Sequence, residues 1–167
     1  MTILKENIKL LVIIFILLGL SFNFNPVNAA AGSGDSAGND QTSLYESGEK
    51  LIKRAKKLEK KDKNEKAEKL YLKAYKKFEK AYEKNKKSAD ILNYLGYTLR
   101  KTGNFEKAEE FYLKGLELDA AHLGINEYLG VLYVQTNRIE LAKERLQVLK
   151  DCKCEEYDEL KELIEKN

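Results

Sequence analysis

Proline is almost absent from this 167-residue chain, the single one being Pro26. Nothing after it carries the residue that most strongly breaks a helix. Glycine is sparse beyond residue 42, and no glycine-rich phosphate-binding loop is spelled out; Gly103 and Gly124 read as helix-turn residues. There is one histidine, His122, and only two cysteines, Cys152 and Cys154. A general base needs a nucleophile and an orienting group within reach, and no such set surrounds His122. That residue reads as a helix cap or an interhelical hydrogen-bond partner. The Cys-x-x-Cys spacing of thiol oxidoreductases is missing as well.

What is present begins with an address. Lys5 and Lys9 charge the N-terminus, Leu10 to Leu20 are apolar throughout, and Ala29, Ala30 and Ala31 supply small residues. This is the layout of a secretory signal peptide over residues 1–29, and the expected compartment is the periplasm. The rival is an uncleaved anchor, for which the apolar core is short of the roughly 20 residues a span needs. Residues 30–42 are small and polar and read as a disordered linker. Residues 43–167 then form one helical domain, rich in Lys, Glu, Leu and Ala, which favour helix.

Charge is divided along that domain. Lys50 to Lys87 hold 17 basic against 6 acidic residues, and Ser88 to Asn167 hold 11 against 16. Lys56, Lys57, Lys60, Lys61, Lys63 and Lys66 give the first part a basic face suited to weak contact with an anionic membrane. A plain solvated lysine face is the simpler reading. Export makes nucleic acid a poor partner for either.

One pattern occurs twice. Leu95-Gly96 returns 34 residues later as Leu129-Gly130, and Ala108 returns as Ala142 at the same offset. Leu92, Leu95 and Leu99 share a helical stripe. Gly96 and Ala108 are small where two helix backbones cross closely. Gly103 suits a left-handed turn, Asn137 takes its place in the next copy, and Asn104 can cap the helix that follows. An earlier, degenerate copy has Leu51, Ala55 and Leu58, then Ala67, Tyr71 and Ala74. Its Ala67 precedes Ala108 by 41 residues, so its second helix should run two turns further, through Phe78, Ala81 and Tyr82. Tyr157, Leu160, Leu163 and Ile164 mark a closing helix from Glu155 to Lys166 that covers the last copy.

These residues resemble the tetratricopeptide-repeat family across about residues 48 to 151. The proline usual near the end of each repeat is replaced by Asp119-Ala120-Ala121. The resemblance implies an all-α fold: a short right-handed solenoid of about three hairpins with a C-terminal capping helix. His122, Gly124, Glu127, Tyr128, Leu129, Gly130 and Tyr133, with Cys152, Cys154 and Glu155-Glu156-Tyr157, are similar to a group of small exported repeat proteins of Gram-negative bacteria. That group carries a two-cysteine site before its closing helix, with wider spacing than the Cys-x-Cys here.

Three readings of the cysteine pair follow from an oxidising compartment: a disulfide clamping the turn if the backbone bends at Lys153, a redox or Cu(I)-binding dithiol, or free thiols. A zinc site would need about four ligands, with only His122, Asp151, Glu155 and Glu156 to help. No cofactor and no resident metal are expected.

Repeats of this kind line an inner groove with their first helices. Its expected partner-binding residues are Asn93, Tyr94, Tyr97, Arg100, Asn126, Glu127 and Tyr128, with Val131 beside them. Asn93 and Asn126 read as equivalent positions with one role used twice. The expected function is a non-catalytic exported scaffold that holds a protein or peptide in this groove. The alternative is a periplasmic thiol-redox or copper-handling accessory protein that uses Cys152 and Cys154.

Overall fold

The computed structural model describes residues 36–167, with side chains from residue 40 onward. The segment 1–29 expected to be a signal peptide lies outside the described residues. Among the described residues seven helices follow one another: α1 (Ser36–Glu59), α2 (Asn64–Lys84), α3 (Ala89–Lys101), α4 (Phe105–Leu118), α5 (Leu123–Gln135), α6 (Ile139–Leu149) and α7 (Glu155–Glu165). Among the described residues there is no strand, and no helix is long and apolar enough to cross a membrane.

The helices pair as hairpins, α1 with α2, α3 with α4 and α5 with α6, and α7 packs on α5 and α6. Each hairpin turns on one residue in the left-handed region. These are Asp62 (φ 55°), Gly103 (φ 79°) and Asn137 (φ 58°), so the last two sit where the repeat spacing puts them. Asn104 Oδ1 accepts from the Lys107 amide at the start of α4, as its position implies.

Small residues set the crossings. A Cβ on Gly96 would come within 2.5 Å of Tyr112 Cε1, so the tyrosine ring of α4 lies flush on the α3 backbone. In the first hairpin the buried residues of α2 are Ala67, Tyr71, Ala74, Phe78 and Ala81, alternating small and large at helical spacing. The rings of Tyr71 and Phe78 stand seven residues apart. Ala55 and Gly48 repeat the small position at the same interval on α1, with Phe78 filling the space a Gly48 Cβ would need. The hairpin is therefore one heptad longer than its neighbours, which accounts for the 41-residue offset.

The first helix begins at Ser36, inside the segment 30–42 expected to be a linker. Its composition remains polar, yet Leu44 and Tyr45 pack on the first core and Asp40 pairs with Lys84 at 2.6 Å. Tertiary contacts downstream hold a turn that propensity alone would leave open.

Two buried clusters form the interior, one between the first hairpin and α3, the other between α4, α5 and α6. Tyr75, Phe111 and Tyr128 touch both, so the core runs continuously through the stack. Burying each large apolar side chain contributes about 1.5–3 kcal/mol. Gly130 differs from Gly96 in what crowds it: Leu160 of α7 would lie 2.5 Å from a Cβ there. Leu160 itself is fully buried, and Leu163 and Ile164 join the second cluster, so α7 closes the stack as the apolar pattern requires.

Candidate functional site

Two open cavities lie along the face formed by α1, α3 and α5. The smaller, about 260 Å3, is lined by Glu49, Ile52, Lys53 and Lys56 of α1 with Tyr94, Tyr97 and Tyr128. The larger, about 580 Å3, is lined by α3, the α4–α5 turn and α5, and Glu156 of α7 reaches it. Tyr94 and Tyr128 belong to both, so the two are halves of one groove.

The tyrosines are fixed by an aromatic network. Tyr94 stacks on Phe78, with ring centroids 4.7 Å apart and planes 7° from parallel, and Tyr45 meets both rings edge-on. The Tyr94 hydroxyl donates to Glu49 Oε1 at 2.9 Å. Tyr97 meets Tyr71 edge-on and Tyr128 at a centroid distance of 4.9 Å. Cations flank Tyr97: Lys56 Nζ lies 5.3 Å and the Arg100 guanidinium 5.4 Å from its centroid. Burial pushes the Tyr45 phenol up to about 12, helped by Glu49 and Asp90, and raises Tyr94, Tyr97 and Tyr128 further. Such phenols stay protonated and donate hydrogen bonds.

Five of the seven residues expected at the groove surface are buried: Asn93, Tyr97, Arg100, Asn126 and Glu127. Asn93, Tyr94, Tyr97, Glu127 and Tyr128 still line the cavities. Arg100 and Asn126 line neither. Arg100 lies over the Tyr97 and Tyr128 rings and its Nη1 donates to Gln135. Asn126 is fully buried; its Nδ2 donates to the carbonyls of Ala120 and His122, and its Oδ1 accepts from Arg145. Its amide is spent on tying the α4–α5 turn to α6. The expected equivalence of Asn93 and Asn126 is corrected too. The 34-residue period pairs Asn93 with Glu127 and Asn126 with buried Leu92. Asn93 and Glu127 indeed face the same cavity.

Glu127 is 5% exposed and its carboxyl is pushed up to about 8. Burial is the main cause, followed by the hydrogen-bonded Glu159 carboxyl and the Glu156 charge, with Arg100 opposing them. The proton is therefore mostly retained at neutral pH.

His122 caps α5, its Nδ1 accepting from the Ile125 amide at 3.2 Å. One repeat earlier Ser88 does the same for Ile91. An Nδ1 that accepts leaves the proton on Nε2, which faces Asp90 Oδ1 at 3.2 Å. Both expected roles of the histidine, cap and interhelical partner, are realised together.

Cys152 and Cys154 are joined as a disulfide with Cα atoms 5.2 Å apart, and Lys153 bends into the left-handed region at φ 51°. The bond closes the turn between α6 and α7. Among the described residues no group of three or more His, Cys, Asp or Glu side chains is placed to hold a metal ion.

Sequence reading missed Glu49, Ile52 and Lys53, hidden in the degenerate first copy. It also missed Asp90, Asp119 and Glu156, which come from separate elements. Glu127 was among the expected residues, and the offset of 34 applied strictly to Asn93 was the signal for the equivalence of the two.

Residues 49–121 match the profile described as tetratricopeptide repeat. No curated protein sequence matches the chain. The Yersinia enterocolitica type III secretion translocator chaperone SycD is similar in fold, with a TM-score of 0.56 at 17% identity over 81% of this chain and 100% of that one. The same chaperone in complex with a peptide of the translocator YopD gives 0.51 at 18%, covering 71% and 86%. The second repeat domain of the human RPAP3 protein, in complex with an HSP70 peptide, gives 0.50 at 16%, covering 76% and 99%. Residues 49–121 thus carry the likeness to the tetratricopeptide repeat, and the described helices have the same all-α repeat fold as these solved structures.

Proposed function

We propose that this chain is an exported, non-catalytic scaffold that binds an extended peptide segment of a protein partner along the α1–α3–α5 groove. The observation that carries this reading is the pair of adjoining cavities walled by Tyr94, Tyr97 and Tyr128. Rings locked by Phe78, Tyr71 and Tyr45 offer rigid apolar area at little entropic expense on binding. Two proteins of the same fold are described with bound peptides, which supports the same use here.

The raised Glu127 carboxyl is also what a general acid needs. Here it faces Glu159 of α7 and serves the contact between α5 and α7, so the non-catalytic reading is preferred. The sulfurs of Cys152 and Cys154 are bonded to each other at the turn that seats α7, which favours a structural role over copper handling. Export rests on the N-terminal sequence pattern. The six lysines of the basic face are all exposed and suit a weak anionic contact beside the groove.

The test is selection of random dodecapeptides displayed on phage against the full chain, with the bound site mapped by amide exchange. Peptides that protect α1, α3 and α5 support the groove. Peptides that protect only the second helices of the hairpins, or failure to select any, would remove it.

A further inference from the structure

The larger cavity is acidic. Asp90, Asp119 and Glu156 line it together with the largely protonated Glu127, and no lysine or arginine does. Among the described residues no lysine or arginine pairs within 4.0 Å with any of these four. His122 lines the same cavity and its Nε2 faces Asp90 Oδ1 at 3.2 Å. A second observation is independent of the carboxylates. Asn93 is 8% exposed, lines the same cavity, and its Oδ1 has no hydrogen-bond partner. A buried amide oxygen left unpaired costs roughly 1–3 kcal/mol. The amide occupies the space beside Gly124, where an added Cβ would come 2.9 Å from Asn93 Nδ2.

We infer that this cavity is a subsite for a lysine or arginine side chain of the bound peptide. The inference rests on the groove reading above and names what one half of that groove recognises. The shared chemistry is an ammonium or guanidinium on an aliphatic stem. The stem lies along Tyr94 and Tyr128, which wall the cavity toward the smaller half. The cationic head donates to Asp90 and Glu156 beside the Asn93 amide. Charge-assisted bonds of this kind are about twice as strong as neutral ones. The other half of the groove carries Lys53 and Lys56 against the single Glu49, so a lysine or arginine is favoured at the acidic end over the basic one. The groove thereby sets the direction in which a peptide lies.

The experiment is a titration of the 15N-labelled full chain with N-acetyl-lysine methylamide and N-acetyl-arginine methylamide, followed by NMR. N-acetyl-norleucine methylamide and the Nε-acetylated lysine probe serve as uncharged controls. Saturable shifts at the Asn93 side-chain amide, Asp90, Gly124 and Glu127 are expected with both cationic probes, at least about tenfold weaker with the controls. Asp90→Asn/Glu156→Gln should abolish them while the rest of the spectrum stays in place. Equal response to norleucine, or no shift with the wild-type chain, overturns the subsite without reliance on any variant. Failure of the groove reading is separate. Displayed peptides that protect the groove with no enrichment of Lys or Arg leave that reading standing and remove only the cationic subsite.

Discussion

Tyr112 packs on Gly96 so closely that a Cβ at residue 96 would lie 2.5 Å from its ring. Both partners are held: Tyr112 is fully buried, and α3 is pinned between the first hairpin and α5. Gly96→Ala should destabilise the fold by about 1–3 kcal/mol, the usual effect of overpacking a tight core. Urea denaturation checks this, and an unchanged midpoint would contradict the close approach.

His122 should matter for stability in two separable parts. His122→Ala removes both the cap of α5 and the bond to Asp90, for a loss of about 1–2 kcal/mol. His122→Ser keeps a capping oxygen like that of Ser88 and loses only the Asp90 link, so it should retain most of the stability. Equal losses for the two variants would show that capping is not the main role.

Glu127 makes stability depend on pH. Its carboxyl is raised from 4.5 to about 8 in the folded protein, so the folded state binds the extra proton between those values. The stabilisation is full below about pH 4.5 and is lost as pH rises through about 8, with a slope of at most about 1.4 kcal/mol per pH unit. Glu156 and Glu159 of α7 and Arg100 of α3 are the charged groups that act on it. Glu127→Gln should flatten the profile and raise the melting temperature at pH 8 more than at pH 5. Thermal melts over that range decide it, and an unchanged slope would place the dependence elsewhere.

The disulfide should act locally. Replacing Cys152 and Cys154 by serine frees the turn that seats α7 and Leu160 on Gly130. In a stack each unit touches only its neighbours. Amide exchange should therefore speed up about tenfold or more in residues 155–165 and stay unchanged in α1 to α3. Uniform acceleration along the chain would mean that the turn supports the whole fold.

How much of this was legible depends on what each residue's role relies on. Gly96, Gly103 and Asn137 act through contacts or turns within one hairpin, which the 34-residue spacing encodes directly, whereas Gly130 repeats the motif but seats Leu160 of α7. The heptad added to the first hairpin was readable from Tyr71, Phe78 and Ala81 for the same reason. Asn126 was misread because a polar residue stands where the previous copy has buried Leu92, and only the fold shows Arg145, Ala120 and His122 satisfying it. The acidic half of the groove was invisible because Asp90, Asp119 and Glu156 are brought together from α3, the α4–α5 turn and α7. The last of these depends on the direction the chain takes after Lys153. The start of α1 at Ser36 was hidden for a related reason, since its support comes from Lys84 at the far end of α2.

The central claim is that Tyr94, Tyr97 and Tyr128 form the wall of a peptide groove. The most direct measurement is the affinity of one phage-selected peptide for the full chain and for Tyr128→Ser, by calorimetry, with urea denaturation run on both proteins. Tyr128 is half-buried and lines both cavities. Affinity should fall by about tenfold or more in a variant that still unfolds cooperatively. Unchanged affinity in a folded Tyr128→Ser protein would contradict it.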